Sequence, residues 1–471
     1  MGSRRHGQVH GPVHDQVRDQ ARDPLRDPLR DQAPGPARRL EPPASSQRFD
    51  AVIVGAGPAG STAAILLARA GWSVALVERQ NFPRRKVCGE CIAASNLPLL
   101  AALGVADAFD AQAGAELRRV TLLHGDSAVT AALPAASHER YAWGRALGRE
   151  RLDTLLLEQA RAAGASVLQP WSVQAIQGRP GAWHCELRAQ ESAALQRLRA
   201  PLLIDAHGAW EALPSRRSRG HLQRSAADLF AFKANFSGAA HASDSISVLA
   251  LDGGYGGMVV AGGGGDGAST LTLACCIRRD RLSALRSAAP GQRAGDVVQA
   301  WLLRECGGVG QALSRATREG QWLAAGPIDP GLRIGRSDEV FCIGNAAGEA
   351  HPILGEGISM ALQSAALLCR HLLADAAFVG APTAAAQAVL QHRYAADWQR
   401  EFAPRLRLAA AFAHATMHRR SATLLTALLR RWPGLLTRGA RWGGKVRAPA
   451  PVAPAHRAAP QLSAVVAPPT P

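Results

Sequence analysis

The chain has 471 residues, 47% of them hydrophobic and 19% charged, with a formal net charge of +17. It is long enough and apolar enough for one large two-part domain or two ordinary ones. No apolar run approaches the roughly 18 residues of a spanning helix, and the positive charge comes without zinc-finger spacing or an RNP-type aromatic motif.

The eight cysteines are scattered through mostly apolar runs and suggest no disulfide framework. Without a secretory leader, reduced thiols and a cytoplasmic location are expected. No metal site and no nucleic-acid partner are expected.

In chain order, residues 1–47 read as a disordered tail: a four-residue repeat over Asp15–Asp31 leads into a Pro/Ala/Arg stretch with almost nothing large to bury. Phe49–Val54 then reads as a buried strand, Pro58–Ala70 as a helix and Ser73–Val77 as a second strand, a βαβ unit. The turn between the first strand and the helix, Gly55-Ala56-Gly57-Pro58-Ala59-Gly60, matches G-x-G-x-x-G. Its first glycine permits the tight turn. The second lets amides approach a pyrophosphate, and the third lets helix and strand pack closely. Glu78, at the end of the second strand, is placed to accept ribose hydroxyls, with Arg79 beside it. An acid there disfavours a 2′-phosphate, so the turn is expected to hold FAD or NAD.

Gly148–Gly164 reads as an amphipathic helix, with Leu152, Leu155, Leu156 and Ala160 on one face. Strand-like segments with Gly-rich turns dominate from Ser225 to Trp322. Val340–Ile343 is again a buried strand, followed by a glycine turn and a helix from about Gly357. A dinucleotide fold split by a β-rich insertion is therefore expected. Basic helices follow, in which Leu424, Leu425, Leu428, Leu429 and Trp432 could form one apolar face. The plainer reading has these helices covering the dinucleotide-binding domain; the sharper one docks them peripherally on the inner, anionic face of a membrane. Residues 446–471 read as a second, Pro/Ala-rich tail.

The second glycine constellation decides between FAD and NAD. Gly344-Asn345-Ala346-Ala347-Gly348 leads into His351-Pro352-Ile353-Leu354-Gly355-Glu356-Gly357-Ile358. It resembles the G-D-A-A-G, proline, G-x-G-I pattern of the aromatic-ring hydroxylase and geranylgeranyl reductase superfamily. Phe82-Pro83-Arg84-Arg85-Lys86-Val87-Cys88-Gly89-Glu90 is similar to the F-P-R-x-K-x-C-G-[EG] stretch of the reductase and related monooxygenase branch. Arg149 with Leu152-Asp153, and Leu203–Gly208 with its D-A-x-G ending, fit the same resemblance.

The resemblance implies an α/β protein: a Rossmann-like FAD-binding domain of the glutathione-reductase type, split by an antiparallel substrate sheet and followed by C-terminal helices. The expected boundaries are 48–215 with 325–385 for the FAD domain, 216–324 for the substrate domain and 386–445 for the helices. It implies FAD contacts from Gly55, Gly57, Pro58, Ala59, Gly60, Glu78, Arg79, Lys86, Arg149, Gly344, Asn345, Pro352, Gly355, Glu356, Gly357 and Ile358. For Arg149 a surface salt bridge is the alternative. Asn345 departs from the family's Asp and gives up charge-assisted hydrogen bonding.

Cys88 is expected beside the flavin, with Cys91 beginning the next helix; a Cys88–Cys91 redox disulfide is the less favoured reading. Tyr255-Gly256-Gly257 is expected to face substrate, with a plain β-turn as its alternative, and His351 is the candidate acid or base. The favoured activity is hydroxylation of an aromatic or polyketide-type substrate, with NAD(P)H as transient reductant and O₂. Alkene reduction in a prenyl lipid is the alternative, and a flavin-binding protein without catalysis the non-enzymatic one. A halogenase is disfavoured because no W-x-W-x-I-P run occurs.

Overall fold

The computed structural model describes residues 46–445 apart from 193, 209–212, 215–224, 263–269, 336–338, 379 and 381; the expected tails lie outside the described residues almost entirely. Five short parallel strands form one sheet, in the order Phe341–Cys342, Leu202–Asp205, Ala51–Val54, Val74–Val77, Ser166–Leu168. All but the edge strand Ser166–Leu168 are buried throughout, as expected of parallel strands covered on both faces.

The period-two alternation sorts their side chains. Ala51, Ile53, Val74, Leu76, Leu202 and Ile204 join a core with the helices Pro58–Arg69, Arg149–Ala162 and Gly357–Ala374. Val52, Val54, Ala75, Val77 and Leu203 face the opposite way, onto Ile176, Trp183, Cys185, Leu187 and Leu198 of a four-stranded sheet (Gln47–Arg48, Leu195–Ala200, Ala182–Ala189, Trp171–Arg179).

A seven-stranded sheet runs in the order Thr317–Ile328, Leu229–Ser237, Thr270–Arg278, Gly254–Ala261, Ser245–Leu251, Arg119–His124, Ser127–Ala132. It departs from the sequence expectation in three ways. The hairpin Arg119–Ala132 joins it from far upstream, and its junction with Ser245–Leu251 is parallel, so the sheet is mixed rather than antiparallel. Residues 279–313 form three helices, Arg279–Ala288, Ala294–Glu305 and Gly307–Leu313, rather than strands. Val297, Val298, Trp301 and Leu302 are buried on one stripe of the middle helix, a 3.6-residue spacing masked by the surrounding glycines.

Cys91 begins no helix either. Cys91–Ile92 pairs with Arg145–Ala146, and the helix starts at Leu97, where Pro98 suits its first turn.

The helix Ala384–Thr416 ties the molecule together. Leu390, Tyr394, Trp398, Phe402 and Leu406, spaced by four, pack into the core of the parallel sheet, while Ala413 packs beneath the seven-stranded sheet. Tyr394 donates to the Cys342 carbonyl at 2.8 Å, anchoring that helix to the edge strand. Among the described residues one helix, Gly357–Ala374, is long and apolar enough to cross a membrane, and 67% of it is buried inside the protein.

Candidate functional site: two glycine turns and a cationic cradle

The strand Ala51–Val54 ends in a turn whose backbone only glycine suits. Gly55 has φ +103°, and a Cβ there would lie 2.6 Å from the Ala206 oxygen. A Cβ on Gly60 would lie 1.8 Å from the Gly55 oxygen, so strand and helix meet without side chains between them. Pro58 opens the helix, and Gly57 caps it with no side-chain hydrogen bond, which leaves the first-turn amides for another acceptor. Glu78 is buried. Its Oε2 accepts from the Ala56 amide and its Oε1 from the Gln80 amide, both at 3.0 Å.

Three cations converge on this turn. Arg149 is the first residue of its helix and grips buried Asp153 through two hydrogen bonds of 2.7 and 2.8 Å. Burial works against its charge, but Asp153 outweighs burial and raises the guanidinium above its ordinary pKa. Its Nη2 lies 3.7 Å from where a Gly57 Cβ would stand. Arg84 approaches Glu78 at 3.4 Å and Asp153 at 3.8 Å, while its Nε and Nη1 are buried without a hydrogen-bond acceptor. Burial lowers the Arg84 pKa, and burial, then Arg84 and Arg149, bring Lys86 down to about 8. Orphaned buried donors beside crowded like charges fit a polyanion, and an open helix N-terminus is what a pyrophosphate needs. These residues fit FAD. Arg79 lies on the exposed side of Glu78.

The second turn stands directly against the first. Gly344, at φ +59°, would place a Cβ 3.0 Å from that of Ala59, and its amide donates to the Ser364 hydroxyl at 2.8 Å. Asn345 donates its amide to Glu349 at 3.2 Å, and Arg333 holds the other Glu349 oxygen at 2.8 Å. The departure at 345 thus has a local cause: an Asp would set a second carboxylate against Glu349. Gly355, at φ +63°, begins the turn into the helix Gly357–Ala374, and a Gly357 Cβ would meet nothing within 4 Å. Ile358 is buried and Pro352 exposed.

Glu356 is fully buried, with Lys445 Nζ at 3.0 Å and Arg405 Nη1 at 4.0 Å from its carboxylate. Residues 444 and 445 are pinned by Ser95, whose hydroxyl donates to the Gly444 carbonyl at 2.9 Å and whose amide donates to the Lys445 carbonyl at 3.2 Å.

The sheet side contributes a buried protic pair. Tyr255 Oη lies 3.1 Å from His351 Nδ1, and the exposed His414 ring lies edge-on to His351 at 5.8 Å. Burial, then His414, lower the His351 pKa to about 4, so the ring is neutral at pH 7; burial pushes the Tyr255 phenol well up. Tyr255, Gly256 and Gly257 lie within the strand Gly254–Ala261 and form no turn. A Cβ on Gly256 would stand 2.8 Å from the Ala274 oxygen, and one on Gly257 would stand 3.0 Å from the Ser247 oxygen, so both serve strand packing.

Sequence reasoning missed the buried pair that joins the two halves. Lys233 and Glu90 form an ion pair with both side chains nearly inaccessible. Glu90 also accepts from the Arg149 amide at 3.0 Å and the Thr272 hydroxyl at 2.6 Å. Glu90 has φ +58°, the left-handed region that few non-glycine residues adopt. The signal was a lone lysine inside the apolar run Leu229–Ser237. Half-buried Cys88 accepts from the Glu90 amide at 3.3 Å, and all eight cysteines are free, so the Cys88–Cys91 disulfide is not formed.

Residues 48–275 match the family described as FAD binding domain. That match, just under half of the chain, identifies an FAD-binding domain, as expected of an FAD-dependent oxidoreductase. This flavoprotein superimposes on the myxobacterial chondrochloren halogenase CndH with a TM-score of 0.66 and 18% identity, over 84% of this chain and 91% of that one. Against PqsL, a probable FAD-dependent monooxygenase from Pseudomonas aeruginosa, the TM-score is 0.58 with 19% identity, over 80% and 98%. In sequence, the flavoprotein is 36% identical to tryptophan 2-halogenase of Chondromyces crocatus over 118 residues, 25% of this chain and 22% of that protein. It is 48% identical to menaquinone reductase of Mycolicibacterium smegmatis over 63 residues, 13% of this chain and 15% of that protein. These sequence matches therefore span well under two thirds of either relative.

Proposed function

We propose that the protein is a flavin monooxygenase that uses NAD(P)H and O₂ to hydroxylate an aromatic or polyketide-type substrate. In this reading residues 48–215 and 325–385, less the hairpin Arg119–Ala132, hold FAD. The seven-stranded sheet, most of whose strands come from 216–324, carries the substrate. When bound, FAD supplies the two-electron chemistry and, once reduced, the reaction with oxygen. The chain supplies anchorage and proton management. Arg84, Lys86 and Arg149 neutralise the cofactor phosphates, and the amides of the two turns add fixed dipoles.

The observation that carries the reading is the Tyr255–His351 pair. Hydroxylating an electron-rich ring requires a ring hydroxyl proton to be withdrawn and returned. A buried phenol hydrogen-bonded to a neutral imidazole can relay that proton in either direction, and with His351 a weak base at a pKa of about 4 the pair passes it on rather than storing it. Exposed His414, edge-on to His351, links the pair towards solvent.

A reductase acting on a quinone or prenyl-type alkene is the second reading, favoured by the stretch shared with menaquinone reductase and by half-buried Cys88 beside the cradle. The halogenase likeness rests on fold at 18% identity and on a short sequence match, and the chain has no W-x-W-x-I-P run.

Mass analysis of products from aromatic, quinone and prenyl substrates with NADPH and O₂ decides among these. A gain of one oxygen supports the hydroxylase. A gain of two hydrogens, or halogen incorporation when bromide is supplied, overturns it. Bound FAD that NADPH does not reduce, with or without substrate, favours a flavin-binding protein without catalysis.

A further inference from the structure

The helices Arg419–Arg431 and Gly434–Trp442, with the link between them, carry four of the seven large hydrophobic side chains exposed among the described residues: Leu424 (71%), Leu428 (43%), Trp432 (53%) and Trp442 (72%). The apolar face expected from the sequence is in fact divided. Leu425 and Leu429 turn inward with Ala422 and Thr426, packing beneath the seven-stranded sheet. Leu424, Leu428 and Trp432, spaced by four, form a separate stripe that no part of the described chain covers.

The charge around this stripe is one-sided. From Phe402 to Lys445 the sequence has nine cations and no carboxylate; Arg405 and Lys445 are paired with buried Glu356, and the other seven form no ion pair among the described residues. Arg419, Arg420, Arg430, Arg431, Arg438 and Arg441 are all exposed, and the Arg431 guanidinium lies 5.5 Å from the Trp432 ring centre. A protein partner would have to match an apolar stripe within a field of uncompensated arginines. An anionic bilayer meets both needs together: headgroups take the guanidinium groups, and the interfacial zone takes leucine and indole.

We propose that these two helices are a membrane-docking surface whose partner is an anionic phospholipid bilayer, with Leu424, Leu428 and Trp432 entering the interface. The surface stands apart from the reaction proposed above, so either can fail without the other. Seated there, the protein would meet lipid-soluble substrates at the bilayer surface.

The test is co-sedimentation of the full chain with phosphatidylcholine vesicles, with and without phosphatidylserine, followed also by tryptophan fluorescence. The expected result is binding to the serine-containing vesicles alone, with a blue shift, and release at high salt. Arg430→Glu with Arg431→Glu should weaken partitioning by at least about thirty-fold. Leu424→Ser with Trp432→Ser should weaken binding and reduce the blue shift, leaving Trp442 to report what binding remains. Both pairs are exposed, so native melting curves are expected. Absence of binding, or equal binding to both vesicle types, overturns the proposal. So does self-association in sedimentation velocity that these variants abolish while vesicle binding is unchanged.

Discussion

Tyr255 on the seven-stranded sheet and His351 beside the second glycine turn lie 3.1 Å apart, Oη to Nδ1, although 96 residues separate them in the chain. The groups that face this pair are Cys276 and Glu349 near the phenol and His414 across from the imidazole. Burial and His414 keep the His351 ring neutral near pH 7, so it is free to accept the Tyr255 hydrogen bond.

The pair makes a pH prediction. His351 has a folded pKa of about 4 against an unfolded value of about 6.5. Because the unfolded chain binds the proton more readily, the neutral ring's contribution is complete above pH 6.5 and is lost as pH falls towards 4. The loss amounts to about 3 kcal/mol at most. Thermal melts from pH 7 to 4 should show a shallower acid limb for His351→Gln than for wild type. An unchanged limb would remove the claim. Tyr255→Phe should keep FAD and lose turnover, read by bound-flavin absorbance beside product formation.

Glu90 and Lys233 couple the cofactor half to the sheet half. Replacing Lys233 by Met leaves Glu90 buried with only Thr272 and the Arg149 amide, and should cost about 3–5 kcal/mol. The double variant Glu90→Gln, Lys233→Met should recover most of that loss in chemical denaturation. A double variant as unstable as the single would show that the pair is not the coupling element.

Lys445 plays the corresponding part at the second turn. Lys445→Met leaves buried Glu356 with Arg405 at 4.0 Å, while adding Glu356→Gln relieves the stranded charge. The single variant should melt earlier and retain FAD less well, and the double should recover both. Truncation before Gly444 should melt earlier than the full chain.

At position 345, Asp would restore the family pattern but stand against Glu349. Asn345→Asp should lower the melting temperature at neutral pH more than in acid, because the introduced carboxylate is repelled by Glu349, and Glu349→Gln should rescue it. Loss of stability at all pH values, without rescue, would point to a different role for the amide.

How far the sequence discloses all this depends on how local each constraint is. The Gly55–Gly60 turn is legible because its backbone needs glycine at fixed offsets within one βαβ unit. Gly344 is legible for the same reason. Tyr255 and His351 were each marked by neighbouring glycines or proline, but their hydrogen bond depends on a long-range packing that no local spacing encodes. The Glu90–Lys233 pair and the Lys445 contact were missed because each joins segments more than 80 residues apart. The helices over 279–313 were missed for another reason: the Gly-rich turns between 253 and 265 drew the whole stretch from Ser225 to Trp322 into one β-rich reading. Leu424 and Leu425 show the limit of pattern alone, since neighbouring leucines fall on opposite faces once the helix docks.

The central claim is that the Gly55–Gly60 turn and the Arg84, Lys86 and Arg149 cradle hold FAD, and titration of the flavin-stripped protein with FAD tests it most directly. The account predicts one FAD per chain. It also predicts weaker binding as pH rises past about 8, where Lys86 loses its proton, and at least about ten-fold weaker binding for Arg84→Ala with its fold intact. A protein that melts cooperatively yet takes up no FAD, or an Arg84→Ala variant that binds it as tightly as wild type, would contradict the account.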